Sequence, residues 1–331
     1  MKILFIGGTG NISTSVTRLA IERGHELYLL NRGTRPVDIP GAHILRADIN
    51  DRDAVARVLA GHEWDVVVNW IAFVEDEIER DIGLFAGSTD QYIFISSASV
   101  YQRPMRHPVV TESTPLANPF WEYSRNKIRC EDRLNRAFRD DSFPMTIVRP
   151  AHTYDTVIPL SVGGWQDYTI IDRMKRGLPV VVHGDGSSLW TLTHAEDFAL
   201  GFVGLMGNVQ AIGHPFHITS DELLTWDQIY QCTARAAGVE ADIVHVPSDF
   251  LAALDPAFKG SLVGDKATST IFDNTKIKTF VPDFRAVIPY SQGIRRTLAW
   301  FEADPGRMQV RDESNQALDR LLGAWVTATG Q

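Results

Sequence analysis

Short apolar runs alternate with longer amphipathic stretches through the first half of the chain. Lys2–Ile6, Glu26–Leu30, Asp65–Asn69, Tyr92–Ser96 and Thr146–Arg149 read as strands, with helical patterns between several of them. Ile12, Val16, Leu19 and Ala20 recur at helical spacing directly after the first run, and Gly24 follows as a helix stop. This is the rhythm of βαβ units and predicts an α/β fold, a Rossmann-type doubly wound parallel sheet. Ligands of such sheets bind in the crevice outside the carboxyl ends of the strands, so function is to be sought there.

Beyond residue 150 the order loosens. A helix over 164–176, a strand near Val180–Val182, a helix from His194, a strand at Phe216–Ile218 and a helix after Thr225 are interrupted by Gly, Pro and Asp. The expected division is a dinucleotide-binding domain over 1–150, with segments of about 194–220 returning to it. Residues 151–331 then form mainly a smaller C-terminal substrate-binding lobe. No repeat or low-complexity tract interrupts the chain.

With 331 residues, 44% hydrophobic and 22% charged, the chain can bury a large core and is not disordered. Its 32 Lys+Arg against 41 Asp+Glu give a net charge of −9, which opposes a nucleic-acid partner and leaves a small-molecule substrate as the expectation. Cys130 and Cys232 lack metal-ligand spacing, so free thiols in a reducing compartment and no metal site are expected. The opening MKILFIGGTG is too short for a signal peptide, and no apolar run approaches the roughly 18 residues of a membrane span. The expected address is the cytoplasm, away from membranes.

Gly7-Gly8-Thr9-Gly10-Asn11-Ile12-Ser13 lies between the first strand and the first helix. A glycine turn there lets backbone N–H groups and a helix N-terminus approach a pyrophosphate, so Gly7, Thr9, Gly10, Asn11 and Ile12 are candidate dinucleotide contacts. Ser13 stands where the usual fingerprint has its third glycine. After the second strand, an acidic residue would read the ribose 2′-hydroxyl of NAD, but the chain has Asn31-Arg32-Gly33. A guanidinium suits a 2′-phosphate, so Arg32, with Arg35 as a second candidate, favours NADP over NAD. Asp48 and Ile49 are candidates to meet the adenine, with Asp48 as a helix cap the alternative.

Tyr123-Ser124-Arg125-Asn126-Lys127 puts Tyr123 and Lys127 on one helix face. Free tyrosine, with a pKa near 10, is a poor base at neutral pH, and a neighbouring ammonium favours its phenolate. Ser96, Ser97 and Ser99 emerge at the end of an apolar strand, with Ser97 26 positions before Tyr123. A serine there can hold the reacting oxygen while tyrosine exchanges its proton and a nicotinamide exchanges a hydride.

Together these motifs resemble the extended short-chain dehydrogenase/reductase superfamily, and specifically its NAD-dependent epimerase/dehydratase family. The likeness extends through Thr111-Glu112, Pro115 and Pro119, Glu131, Arg149-Pro150, and the block from His183-Gly184-Asp185-Gly186 to His194-Ala195-Glu196-Asp197. It implies Ser97 as the catalytic hydroxyl, Tyr123 as acid/base, and Lys127 as the residue that tunes Tyr123 and binds the nicotinamide ribose. It also implies a homodimer through the Tyr123 helix and a helix at about Glu77–Phe85. The family's 4,6-dehydratases follow a catalytic Thr with Asp-Glu. Here Ala98-Ser99 follows Ser97, which disfavours dehydration. Trp190 stands where nucleotide-sugar enzymes of the family place an arginine for the diphosphate, so Trp190 is a candidate to stack on a sugar ring or apolar substrate. His152 stands where the family often has a substrate-contacting asparagine, and Ser99 is a further substrate candidate. The best-supported expectation is epimerisation of a sugar or sugar derivative through a ketone. The alternative is an NADPH-dependent reductase or dehydrogenase of a non-nucleotide sugar, polyol or other alcohol. A further likeness, to chloroplast stem-loop RNA-binding relatives around Asn31-Arg32-Gly33, carries a binding-protein reading that the negative charge and the intact Ser97, Tyr123 and Lys127 oppose.

Overall fold

Strands buried on both faces need apolar side chains pointing both ways, and the chain supplies them in six places, with a seventh, largely exposed strand at one sheet edge. The computed structural model, which describes residues 1–33, 39–165 and 167–330, joins these into one parallel sheet. In chain order its strands are β1 (Lys2–Ile6), β2 (Glu26–Asn31), β3 (His43–Arg46), β4 (Trp64–Asn69), β5 (Thr89–Ile95), β6 (Met145–Pro150) and β7 (Pro215–Ile218). Their spatial order is 7-6-5-4-1-2-3. The chain leaves β1 towards β2 on one side and returns to β4 on the other, which opens a crevice at the strand ends between them.

Alternation along β1 decides what covers each face. Ile3 and Phe5 pack with Val16 and Ala20 of α1 (Ser13–Glu22). Leu4 and Ile6 join Val55 of α2 (Arg52–Leu59), Ile78 and Phe85 of α3 (Glu75–Phe85), and Cys130 and Leu134 of α4 (Glu122–Asp141). The lobe has its own core, in which Trp226, Tyr230 and Tyr290 lie among Ile170, Val181 and Leu298. It includes α5 (Thr169–Lys175), a strand at Val180–His183 and α7 (Trp226–Ala236). Between α5 and α7 in sequence, α6 (Ala195–Leu205) places Phe198 and Phe202 in the same core as α1. Among the described residues no helix is long and apolar enough to cross a membrane.

Two expectations change in detail, and one strand of the sheet was not expected. The helix expected over 164–176 begins only at Thr169, because Trp165 is engaged in a β-bridge with Ile158. The helix after Asn50 is capped by Asp51, whose carboxylate accepts from Ala54 N, and not by Asp48. Strand β3 breaks no alternation rule, but its side chains are mostly exposed at the sheet edge and so give no apolar run.

Candidate active site

A cleft of about 710 Å³ runs along the carboxyl ends of the strands, within the roughly 300–1,000 Å³ of ligand pockets. Gly7, Thr9, Gly10, Asn11, Ile12, Arg32, Asp48, Ile49, Ser97, Tyr123 and Lys127 all line it. Ser99, His152 and Trp190 do not. Arg35 lies outside the described residues.

The glycine loop is shaped by its first two glycines. Gly7 and Gly8 have φ of 92° and 95°, and a Cβ on Gly8 would lie 2.9 Å from Leu29 Cδ2. Gly10 has ordinary φ and room beside it. Its N–H donates to Ser13 Oγ at 2.8 Å, so the serine in the third glycine's place stitches the loop to the helix. Helix α1 starts with no side-chain cap and no acidic residue in its first turn, leaving its N–H groups for an anion. These features fit a pyrophosphate. Asn11 has another use: its Nδ2 donates to Thr153 O at 3.1 Å and its Oδ1 accepts from Asp155 N at 3.0 Å. Thr297 Oγ1 in turn donates to Asp155 O at 2.5 Å.

At the other end, Lys127 and Tyr123 project from the first turns of α4. Lys127 Nζ donates to the carbonyls of Ala72 at 2.6 Å and Ile95 at 2.7 Å, and lies 4.5 Å from the centroid of the Phe73 ring. Burial pulls its pKa down to about 8, while the ordinary lysine value is 10.5. Burial raises the Tyr123 hydroxyl, and a hydrogen bond with Ser97 works the other way. Ser97 Oγ is bonded to Ser99 Oγ at 2.9 Å, and Ser124 Oγ donates to Ser99 Oγ at 2.7 Å. Ser99 is thus turned away from the cleft, a buried link behind Ser97.

The other motifs of the sequence are internal supports. Glu131 accepts from Arg149 Nη2 at 2.6 Å, from Arg149 Nε at 2.9 Å and from Ser96 Oγ at 2.5 Å. The pair is almost wholly buried and anchors the strand end that carries Ser97. His152 and Trp190 are buried in the lobe, where the family-based reading had them meeting substrate. Sequence reasoning missed Trp70, Ile71, Phe73 and Trp165, which all line the cleft. The first three follow β4 directly, so a strand ending at a switch point was their available signal. Trp165 had none.

The model of the NAD dependent epimerase/dehydratase family matches residues 3–219. The chain belongs to that family. Among its relatives, 2′-dehydrokanamycin reductase of Streptomyces kanamyceticus is 27% identical over 253 residues, 76% of this chain and 71% of that one. The chloroplast stem-loop binding protein of 41 kDa b of Arabidopsis thaliana is 28% identical over 265 residues, 75% and 67% of the two chains. The fold is similar to UDP-glucuronic acid 4-epimerase from Bacillus cereus in complex with NAD, with a TM-score of 0.71 at 17% identity, covering 92% and 99%. This family membership makes the chain an NAD(P)-dependent enzyme of the extended short-chain type, with a nicotinamide cofactor.

Proposed function

We propose that this enzyme carries out reversible hydride transfer at a secondary alcohol or ketone of a sugar-type small molecule, running as a reductase. The observation that carries the reading is that Ser97, Tyr123 and Lys127 line the same cleft, with Tyr123 and Lys127 one turn apart on α4. When bound, the nicotinamide supplies or accepts the hydride. Ser97 donates a hydrogen bond to the substrate carbonyl oxygen and holds it beside Tyr123. Tyr123 then gives its proton to that oxygen as the carbonyl carbon gains the hydride, so C=O becomes CH–OH. The Lys127 ammonium offsets the negative charge left on the phenol oxygen. The relay through Ser99 and Ser124 holds Ser97 in place.

Arg32, exposed at the lip of the cleft beside Asn31, supports NADP as the cofactor. Epimerisation would use the same residues but needs the ketone to turn over while still held by a remote anchor. Arg32 and Lys127 are the cations among the described cleft-lining residues; the first lies at the adenosine end and the second is spent on carbonyls. That favours net reduction. The resemblance implies a homodimer through α3 and α4, whose outer faces carry the pairs Arg133–Glu79 and Arg136–Glu75. The test is purified protein with NADPH or NADH and a panel of sugar ketones, followed by absorbance and product analysis. Loss of reduced cofactor that disappears in Tyr123→Phe, with cofactor affinity retained, is the expected result. An epimerised product without net cofactor change would replace reduction by epimerisation, and full activity in Tyr123→Phe would refute the mechanism.

A further inference from the structure

Trp165 lines the cleft with 41% of its surface exposed, an unusual position for an indole, and its φ of 103° is strained for any residue with a Cβ. The surrounding chain enforces that conformation. Ile158 N donates to Trp165 O at 2.9 Å and Trp165 N to Ile158 O at 2.7 Å, while a Cβ on Gly164 would lie 2.7 Å from Ile158 O. The start of the same loop is tied down by His183, whose Nδ1 meets Ser161 Oγ at 2.9 Å and whose Nε2 meets Lys266 O at 3.1 Å. Burial holds His183 down to about 4, so it is neutral at physiological pH. Since a carbonyl only accepts, Nε2 carries the proton and Nδ1 accepts from Ser161.

Behind Trp165 the rings continue inward. His152 lies 5.6 Å from Trp165, Trp226 6.1 Å from His152, and Trp190 5.9 Å from Trp226, between ring centroids. His152, Trp190 and Trp226 are 7%, 2% and 0% exposed. His152 Nδ1, Trp190 Nε1 and Trp226 Nε1 have no hydrogen-bond partner among the described residues. These atoms are closed off from the cleft, so the three rings form a packed support behind Trp165. Lys266 approaches the same cluster, but its Nζ is paired with Asp265 at 3.0 Å and sits 6.0 Å from the Trp190 ring centroid.

We infer that Trp165 determines substrate specificity by stacking, at the cleft wall, on the ring that carries the reacting carbon. The substrate class is a phosphate-free, oxygen-rich saturated ring. Its CH face lies on the exposed indole of Trp165. A diphosphate would need cationic forks that this wall lacks. This inference rests on the hydride-transfer reading above.

The test uses the NADP-loaded full chain with free sugars and cyclitols as probes, and UDP-glucose as the phosphate-bearing control. Binding is read by saturation-transfer NMR and turnover by cofactor absorbance, for wild type, Trp165→Phe and Trp165→Ala. Expected is binding of at least one free ring, a KM at least tenfold higher in Trp165→Ala with kcat within about threefold, partial recovery in Trp165→Phe, and unchanged NADP affinity in both variants. An unchanged KM in Trp165→Ala, preference for UDP-glucose, or no binding by any free ring overturns the inference. If neither NADP nor NAD binds, or turnover survives Tyr123→Phe, the hydride-transfer reading itself has failed; if a cofactor binds, Tyr123→Phe is inactive and only the Trp165 effect is missing, the stacking role alone is lost.

Discussion

Replacing Lys127 by methionine removes a charge that the fold holds at a cost. The side chain is 2% exposed, and burial sets its pKa at about 8 against the ordinary 10.5, with Glu77 and Glu131 opposing more weakly. That difference corresponds to roughly 3 kcal/mol against the charged form. Between about pH 8 and 10.5 the unfolded chain binds the proton that the folded chain has released, so this residue's contribution makes stability rise with pH across that window and lowest below it. Lys127→Met lacks the rise. Its lost hydrogen bonds to the Ala72 and Ile95 carbonyls add a penalty that does not vary with pH in the variant. Urea unfolding of both proteins at steps from neutral pH to 10.5 gives the difference in unfolding free energy, wild type minus variant. We expect that difference to climb by about 3 kcal/mol. Curves that stay parallel would refute the claim that burial depresses the ammonium. The same charge lies 5.8 Å from the centroid of the Tyr123 ring, where an effective dielectric of about 20 gives about 3 kcal/mol of attraction for a phenolate. Turnover in Lys127→Met should therefore fall by about a hundredfold.

Gly8→Ala places a methyl 2.9 Å from Leu29 Cδ2 at a φ of 95° and should cost about 2 kcal/mol in urea unfolding, whereas Gly10→Ala, with its nearest neighbour 3.5 Å away, should keep stability and weaken dinucleotide binding. Glu131→Gln strands the Arg149 guanidinium and should destabilise by about 3–5 kcal/mol, most of it recovered in the double variant Glu131→Leu/Arg149→Met; a loss under 1 kcal/mol would contradict the buried-pair argument. Arg32→Ala should raise the Kd for NADP at least tenfold and leave that for NAD unchanged, as read by calorimetry; equal effects on the two cofactors would remove Arg32 as the 2′-phosphate reader.

The sheet was legible because its central strands are apolar on both faces, as in the run Val66-Val67-Val68, and because the glycine turn and the Tyr123–Lys127 spacing are local patterns. What escaped is not local. Strand β3 pairs at an exposed edge, so its side chains carry no burial signal. Asp48 and Asp51 are equally good caps on paper, and only the path of the chain selects Asp51. Asn11 reads as a phosphate contact but finds Thr153 and Asp155 across 142 and 144 positions. Ser99 is placed behind the wall by Asn118 and Ser124, and the exposure of Trp165 in front of His152 depends on how the loop after Ile158 doubles back.

The Asn11 clamp has a mechanical consequence. The turn that would grip a pyrophosphate is bound through Thr153 and Asp155 to Thr297, within a lobe helix spanning Tyr290–Glu302. Stiffening one end of that chain of contacts stiffens the other, and by linkage the lobe's ordering feeds back equally on coenzyme affinity. Amide hydrogen exchange around residues 153–155 should slow when the dinucleotide is added, before any substrate is present.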